Sequence, residues 1–154
     1  MTTELEDEVS RITVRRSHIW ADSMRVLRRV HLEKRLKVTF LGESAVDDGG
    51  PRREYLRLLM STVAEQSSLF TGPPSCKVPV HNTMALQRGD FHIVGVAIVL
   101  YLSQGGPGPT FFAPSVVDYL FGGISKVKPR VEDIPDCEVQ EKLSKVIEIL
   151  ECAY

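Results

Sequence analysis

The stretch Gly42-Glu43-Ser44-Ala45-Val46-Asp47-Asp48-Gly49-Gly50-Pro51-Arg52-Arg53-Glu54-Tyr55-Leu56-Arg57-Leu58-Leu59 decides how this chain folds. Just before it, Leu36, Val38 and Phe40 alternate with Lys37 and Thr39, the period-two pattern of a strand with one buried face. Gly49 and Gly50 then offer backbone angles closed to other residues. Pro51 suits the first helical position, where its missing N–H costs nothing. Tyr55, Leu58, Leu59 and Thr62 come next at helical spacing, so one face packs while Arg53, Glu54 and Arg57 stay in water. The helix ends near Gln66.

Toward the N-terminus, residues 1–16 read as a polar lead-in, frayed at its start. Ser17 is the expected N-cap of a first helix with apolar positions Trp20, Met24, Leu27 and Val30. Arg25, Arg28 and Arg29 fall on its other side.

Toward the C-terminus, Gly72, Pro73, Pro74 and Pro79 keep regular structure short between Ser67 and Gly89. Lys77 to His81 allows a brief strand that Pro79 confines to an edge. Asp90 is placed to cap a buried helix from Phe91 to about Gln104, ended by Gly105-Gly106-Pro107. Pro114 opens a short helix carrying Val116, Val117, Leu120 and Phe121, stopped by Gly122-Gly123. The last helix carries Val139, Leu143, Val146, Ile147 and Leu150 at the 3.6-residue period. The pattern predicts an α+β fold, mainly helical, with one or two short strands or a small hairpin.

Composition narrows the function classes. With 154 residues, 43% hydrophobic and 25% charged, the chain is long enough for a core of its own. A formal net charge of −1 gives no overall pull toward nucleic acid or membrane. Charge is uneven locally: Glu4, Glu6, Asp7 and Glu8 precede a stretch, 11–35, with eight Lys/Arg against Asp22 and Glu33. That basic stretch reads first as a solvated helix face and second as a nucleic-acid footprint. The apolar run from Phe91 to Leu102 is about half of the ~20 residues a bilayer span needs. Three cysteines, none in a C-x-x-C pair, and an acidic N-terminus without an apolar run suggest a reducing, intracellular setting.

Candidate chemistry is sparse. Cys76 lies five positions before His81, a pairing able in principle to activate a thiolate, yet no third orienting group is evident. Cys137 and Cys152 sit on or beside the last helix with no His or basic cluster. His18, His31, His81 and His92 are scattered, and no pair has the i, i+4 spacing of a helical metal site. His92 is expected inside the apolar helix, satisfied by backbone. The helix start at Gly49-Gly50-Pro51 resembles an anion site with Arg52 and Arg53 nearby. Asp47 and Asp48 at the same helix end argue for a capping role instead. No catalytic, cofactor-binding or metal residue is assigned.

The "GE…VD.GGP.RE" wording resembles the opening of a HECT ubiquitin ligase domain, where such a segment joins the first strand to a core helix. Other stretches are similar to that family too: "VRRSHIWADSMRVLRR" (Val14–Arg29) to its first helix, Ser68-Leu69-Phe70 to the end of its second core helix, and "FHIVGVAIVLYLSQGGPGPTFFAPSVVDYLFGG" to its buried helix and the short helix behind it. "VEDIPD" (Val131–Asp136) is similar to the acidic step before the next helix. The "RRSHIW" and "GGPRRE" wording looks nearest the G2/M-phase-specific subgroup.

The resemblance implies a bilobed transferase of which this chain, from residue 17 to 154, matches only the first part of the N-terminal lobe. It implies that the conjugating-enzyme groove and the lobe with the ubiquitin-accepting cysteine are absent, since no cysteine here has the family's "H-T-C" context. Gly42, Glu43, Asp47, Gly49, Gly50, Pro51, Arg53 and Glu54 are then a structural signature. Glu43 is expected to bond with the Arg52, Arg53 and Glu54 group. Ubiquitin or a protein substrate is the implied partner, with a cytoplasmic or nuclear location and no cofactor. A fragment of a longer ligase, a short gene product and a non-enzymatic interaction scaffold all fit this sequence.

Overall fold

The computed structural model describes residues 9–44 and 49–152. Asp47 and Asp48, and the acidic residues of the N-terminal stretch, lie outside the described residues. The architecture is mainly helical α+β, with two small sheets of two strands each. It divides into two units, Met1–Leu69 with Asn82–Pro109, and Phe70–His81 with Thr110–Tyr154.

The first unit begins with strand β1, Val9–Val14, in the stretch expected to be a lead-in. β1 runs parallel to β2, Arg35–Phe40, in the register Ile12↔Val38 and Val14↔Phe40. Parallel strands need a crossover, and helix α1, Ile19–Val26, provides it. Leu36, Val38 and Phe40 point into the core as their alternation requires, joined by Ile12 and Val14. Leu41 extends the ladder by donating its N–H to the Val14 carbonyl (2.9 Å).

Helix α2, Gly50–Glu65, packs on β2 and α1. It buries Tyr55, Leu56, Leu59, Met60, Thr62 and Val63, while Arg53 and Arg57 remain exposed. Pro51 sits in its first turn.

Further expectations change in this unit. Ser17 does not cap α1: a 3-10 turn, Arg16–His18, leads into it, and the Ser17 hydroxyl bonds His18 Nδ1 (2.8 Å). α1 buries Ile19, Asp22 and Ser23, followed by Leu27, and leaves Trp20 and Met24 half-buried. A short helix α3, Thr83–Arg88, fills part of the Pro-rich interval. Asn82 caps it by accepting from Ala85 N–H (3.0 Å), and Gly89 ends it at φ +73°.

Helix α4, Asp90–Ser103, comes directly after it and packs on α2. Asp90 is its first residue and makes no capping bond. Its carboxylate instead accepts from Arg88 Nε (3.1 Å) and Nη2 (2.7 Å). α4 buries Ile93, Val94, Ala97 and Leu100, but Val99 and Leu102 are 46% and 49% exposed and His92 faces solvent. The expected all-buried helix therefore has one wet face, and His92 lies on it.

The second unit holds strands β3, Phe70–Thr71, and β4, Val78–Pro79, paired antiparallel. Among the described residues the fold is thus the expected mainly helical α+β with short strands, two in each of two small sheets. Lys77 and Phe112 form a further bridge, with Lys77 N–H donating to Phe111 O (2.7 Å) and Ala113 N–H to Lys77 O (2.9 Å). Phe70, Phe111 and Phe112 cluster with ring centroids 4.5 to 5.9 Å apart. Helices α5, Pro114–Gly122, and α6, Cys137–Cys152, bury no residue.

Candidate functional site

The glycine signature bends the chain from β2 into α2, and its geometry can be built residue by residue. Gly42, at φ +84°, turns the chain off β2, with Glu43 N–H donating to Phe40 O (3.1 Å). Gly49 is the N-cap of α2 at φ +78°, a region L-residues with a Cβ rarely enter, and its carbonyl accepts from Arg53 N–H (3.2 Å). Gly50 has ordinary helical geometry with open space where a Cβ would be. The conformational need is therefore at Gly49, not at both glycines.

The described acidic members, Glu43 and Glu54, are held from an unexpected direction. Arg16, between β1 and α1, donates Nε to Glu43 Oε1 (2.9 Å) and Nη2 to Glu43 Oε2 (3.1 Å). Its Nη1 donates to Glu54 Oε1 (3.0 Å), and its guanidinium carbon sits 4.3 Å from the Phe40 ring centroid. Arg57 completes the chain of charges by donating Nε to Glu54 Oε2 (3.0 Å) and Nη2 to Oε1 (3.1 Å). Arg16 holds the Glu43 carboxyl below the usual carboxylate range; Arg57 and then Arg16 do the same for Glu54. The expected Glu43 partners among Arg52, Arg53 and Glu54 are not those found. Arg53 faces solvent, and Arg16 does the clamping.

Beneath this clamp lies a buried polar pair of residues, Asp22 and Ser23. Asp22 accepts from Arg15 N–H (2.8 Å), Arg15 Nε (3.0 Å) and Nη2 (2.7 Å), and Arg25 Nη2 (2.9 Å). The Arg15 side chain, its backbone N–H and Arg25 hold its carboxyl well below the ordinary range. Ser23 Oγ lies 2.8 Å from Tyr55 Oη, with neither residue exposed. Burial drives the Tyr55 phenol above its ordinary pKa.

No cluster of three or more His, Cys, Asp or Glu able to hold a metal exists among the described residues. Cys76 Sγ donates to the Glu132 carbonyl (3.6 Å) rather than to His81, and Cys137 and Cys152 are exposed. A cavity of about 160 Å³ opens beside Gly49 between Arg11, Arg35, Lys37 and Arg52. Arg11 and Lys37 are already engaged, so no ligand is assigned to it. No described helix is long and apolar enough to cross a membrane.

Comparison with curated proteins gives the class. Over nearly its whole length, this chain is related in sequence to one part of HECT-type E3 ubiquitin-protein ligases. The individual relatives include the G2/M phase-specific E3 ubiquitin-protein ligase of Homo sapiens, 24% identical over 148 residues that make up 93% of this chain. The probable E3 ubiquitin-protein ligase HERC4 of Homo sapiens is 29% identical over 135 residues, 81% of this chain. HECTD2 of Mus musculus, also a probable E3 ligase, is 44% identical over 52 residues, 32% of this chain. The chain spans about a fifth (21%) of the length of the G2/M phase-specific ligase and 12% of HERC4. No family model matches the chain. These relatives include the subgroup that the "RRSHIW" and "GGPRRE" wording resembles.

Proposed function

We propose that this chain is a partial HECT-type domain, related to E3 ubiquitin-protein ligases, that does not by itself carry ubiquitin as a thioester. One observation carries the reading: 93% of the chain aligns with a limited part of a far longer ubiquitin ligase. The described carboxylates of the signature support it, because both are spent on arginines. Glu43 pairs with Arg16, and Glu54 with Arg16 and Arg57, which fixes the bend.

The cysteines support the same reading. Cys76 is tied to a carbonyl, and the exposed Cys137 and Cys152 make no side-chain hydrogen bond among the described residues. Ubiquitin or a protein substrate is the partner class we carry over from the relatives' names, with a cytoplasmic or nuclear setting. We set the start of the folded segment at or before Val9, because β1 pairs with β2 along its length.

The test is a reaction with activating enzyme, a panel of conjugating enzymes and labelled ubiquitin, with a thiol-sensitive ubiquitin adduct on the chain as the readout. None is expected; such an adduct would overturn the proposal.

A second reading, a non-enzymatic scaffold, is favoured by the apolar surface of the second unit. Phe121 and Ile124 are 87% and 78% exposed, and the α6 stripe Val139, Leu143, Val146 and Leu150 is also exposed. Surfaces of this kind mark protein contacts. Association with ubiquitin or another protein that persists at high salt would favour it.

A further inference from the structure

The first unit carries a groove of about 500 Å³ with an apolar floor, Trp20 and Met24, and walls of Arg25, Arg28, Arg29 and Arg88. A neighbouring cavity beside β1 shares Arg25 and Arg29 and is also lined by Arg11, itself already engaged. In a chain of net charge −1 this concentration is local.

Two carboxylates belong to this region, Asp90, which lines the groove, and Asp22 behind Arg25, and both are already paired with arginine. Asp22 and Asp90 are 2% and 5% exposed. Asp22 holds Arg25 (2.9 Å), and Asp90 holds Arg88 (2.7 Å). Arg28 spans the groove, donating Nε to Met24 O (3.1 Å) and Nη2 to Arg88 O (2.8 Å). These bonds fix guanidinium groups that still reach solvent. The Arg29 side chain is exposed and has no hydrogen bond or ion pair among the described residues.

Fixed guanidinium forks recognise carboxylates in two-point contacts. A half-buried Trp beside a Met is suited to anchor one large apolar side chain. A nucleic-acid strand would instead call for successive stacking faces, and among the described residues Trp20 is the one aromatic lining this groove. We propose that this groove docks an acidic peptide segment of a partner protein, one large apolar residue seated between Asp and Glu side chains. The proposal does not depend on the ligase relationship.

Trp20 is the chain's only tryptophan, so its emission reports on the groove directly. The full chain is titrated with a synthetic peptide of Glu and Asp around a central Leu, and with its Gln/Asn analogue. The acidic peptide should give a saturable blue shift, and the analogue none. Arg29→Glu should weaken binding at least about fivefold. Arg53→Glu, an equal charge change at a residue lining a different cavity, should leave binding unchanged. Arg29→Gln, with melting curves for each variant, decides the matter if Arg29→Glu disturbs folding: it should still weaken binding. Absence of a saturable shift, equal loss in the Arg29 and Arg53 variants, equal binding of the analogue, or tighter binding of a single-stranded oligonucleotide would each overturn the proposal.

Discussion

Ser23 Oγ and Tyr55 Oη meet 2.8 Å apart in the core, joining α1 to α2 through their side chains. Removing one hydroxyl strands the other without water. Tyr55→Phe and Ser23→Ala should each cost about 1–2 kcal/mol, and the double variant clearly less than their sum. A double-mutant cycle from urea unfolding measures this; strict additivity would show that the pair is not coupled.

The turn makes a sharper contrast between adjacent glycines. Gly49→Val forces a β-branched residue to φ +78° and should destabilise by about 1–3 kcal/mol. Gly50→Ala meets open space at ordinary helical angles and should change stability by no more than about 0.5 kcal/mol. Melting temperatures of the two variants check the assignment, and an equal loss in both would refute it.

Arg16 is the hub of the signature, so its geometry should matter as well as its charge. Arg16→Ala should lower the melting temperature, and Arg16→Lys should recover only part of the loss, because an ammonium cannot grip Glu43 at two points. Full recovery by lysine would reduce the clamp to simple charge attraction.

The acid limb of stability comes from depressed carboxyls. Asp22, Glu43 and Glu54 all titrate lower when folded than when unfolded. Their contribution is complete above the unfolded value near pH 4 and is lost as pH falls through the depressed folded values. Stability should hold from neutrality to about pH 5 and fall below about pH 4. Asp22→Asn should cost about 1–3 kcal/mol at pH 7 and flatten that acid limb. Tyr55 acts at the other end: its raised pKa keeps the phenol neutral when folded, so stability should decline above about pH 10. Denaturant titrations across pH test both limbs.

How much of the fold is legible depends on whether a signal is local. β2, the glycine bend and the packed face of α2 are set by alternation, a positive-φ glycine and helical spacing within a few residues. α5 and α6 announce themselves by Pro114, Gly123 and a clean apolar period. β1 is obscured because only Ile12 and Val14 carry its buried face, among charged neighbours. The packed face of α1 is misplaced because it contains Asp22 and Ser23. Polar residues break an apolar period, and the groups that make them tolerable in the core, Arg15 and Tyr55, are supplied by other parts of the chain. Glu43 draws the wrong expected partners for the same reason: its clamp, Arg16, lies 27 positions away. Asn82 and Gly89 do carry a local cap signal for α3, hidden inside a stretch that reads as irregular.

The most direct measurement charges conjugating enzymes with labelled ubiquitin, adds this chain, and resolves the products without reducing agent. The account predicts that no ubiquitin is found on the chain. A thiol-sensitive ubiquitin adduct, abolished by replacing Cys76, Cys137 or Cys152 with serine, would contradict it.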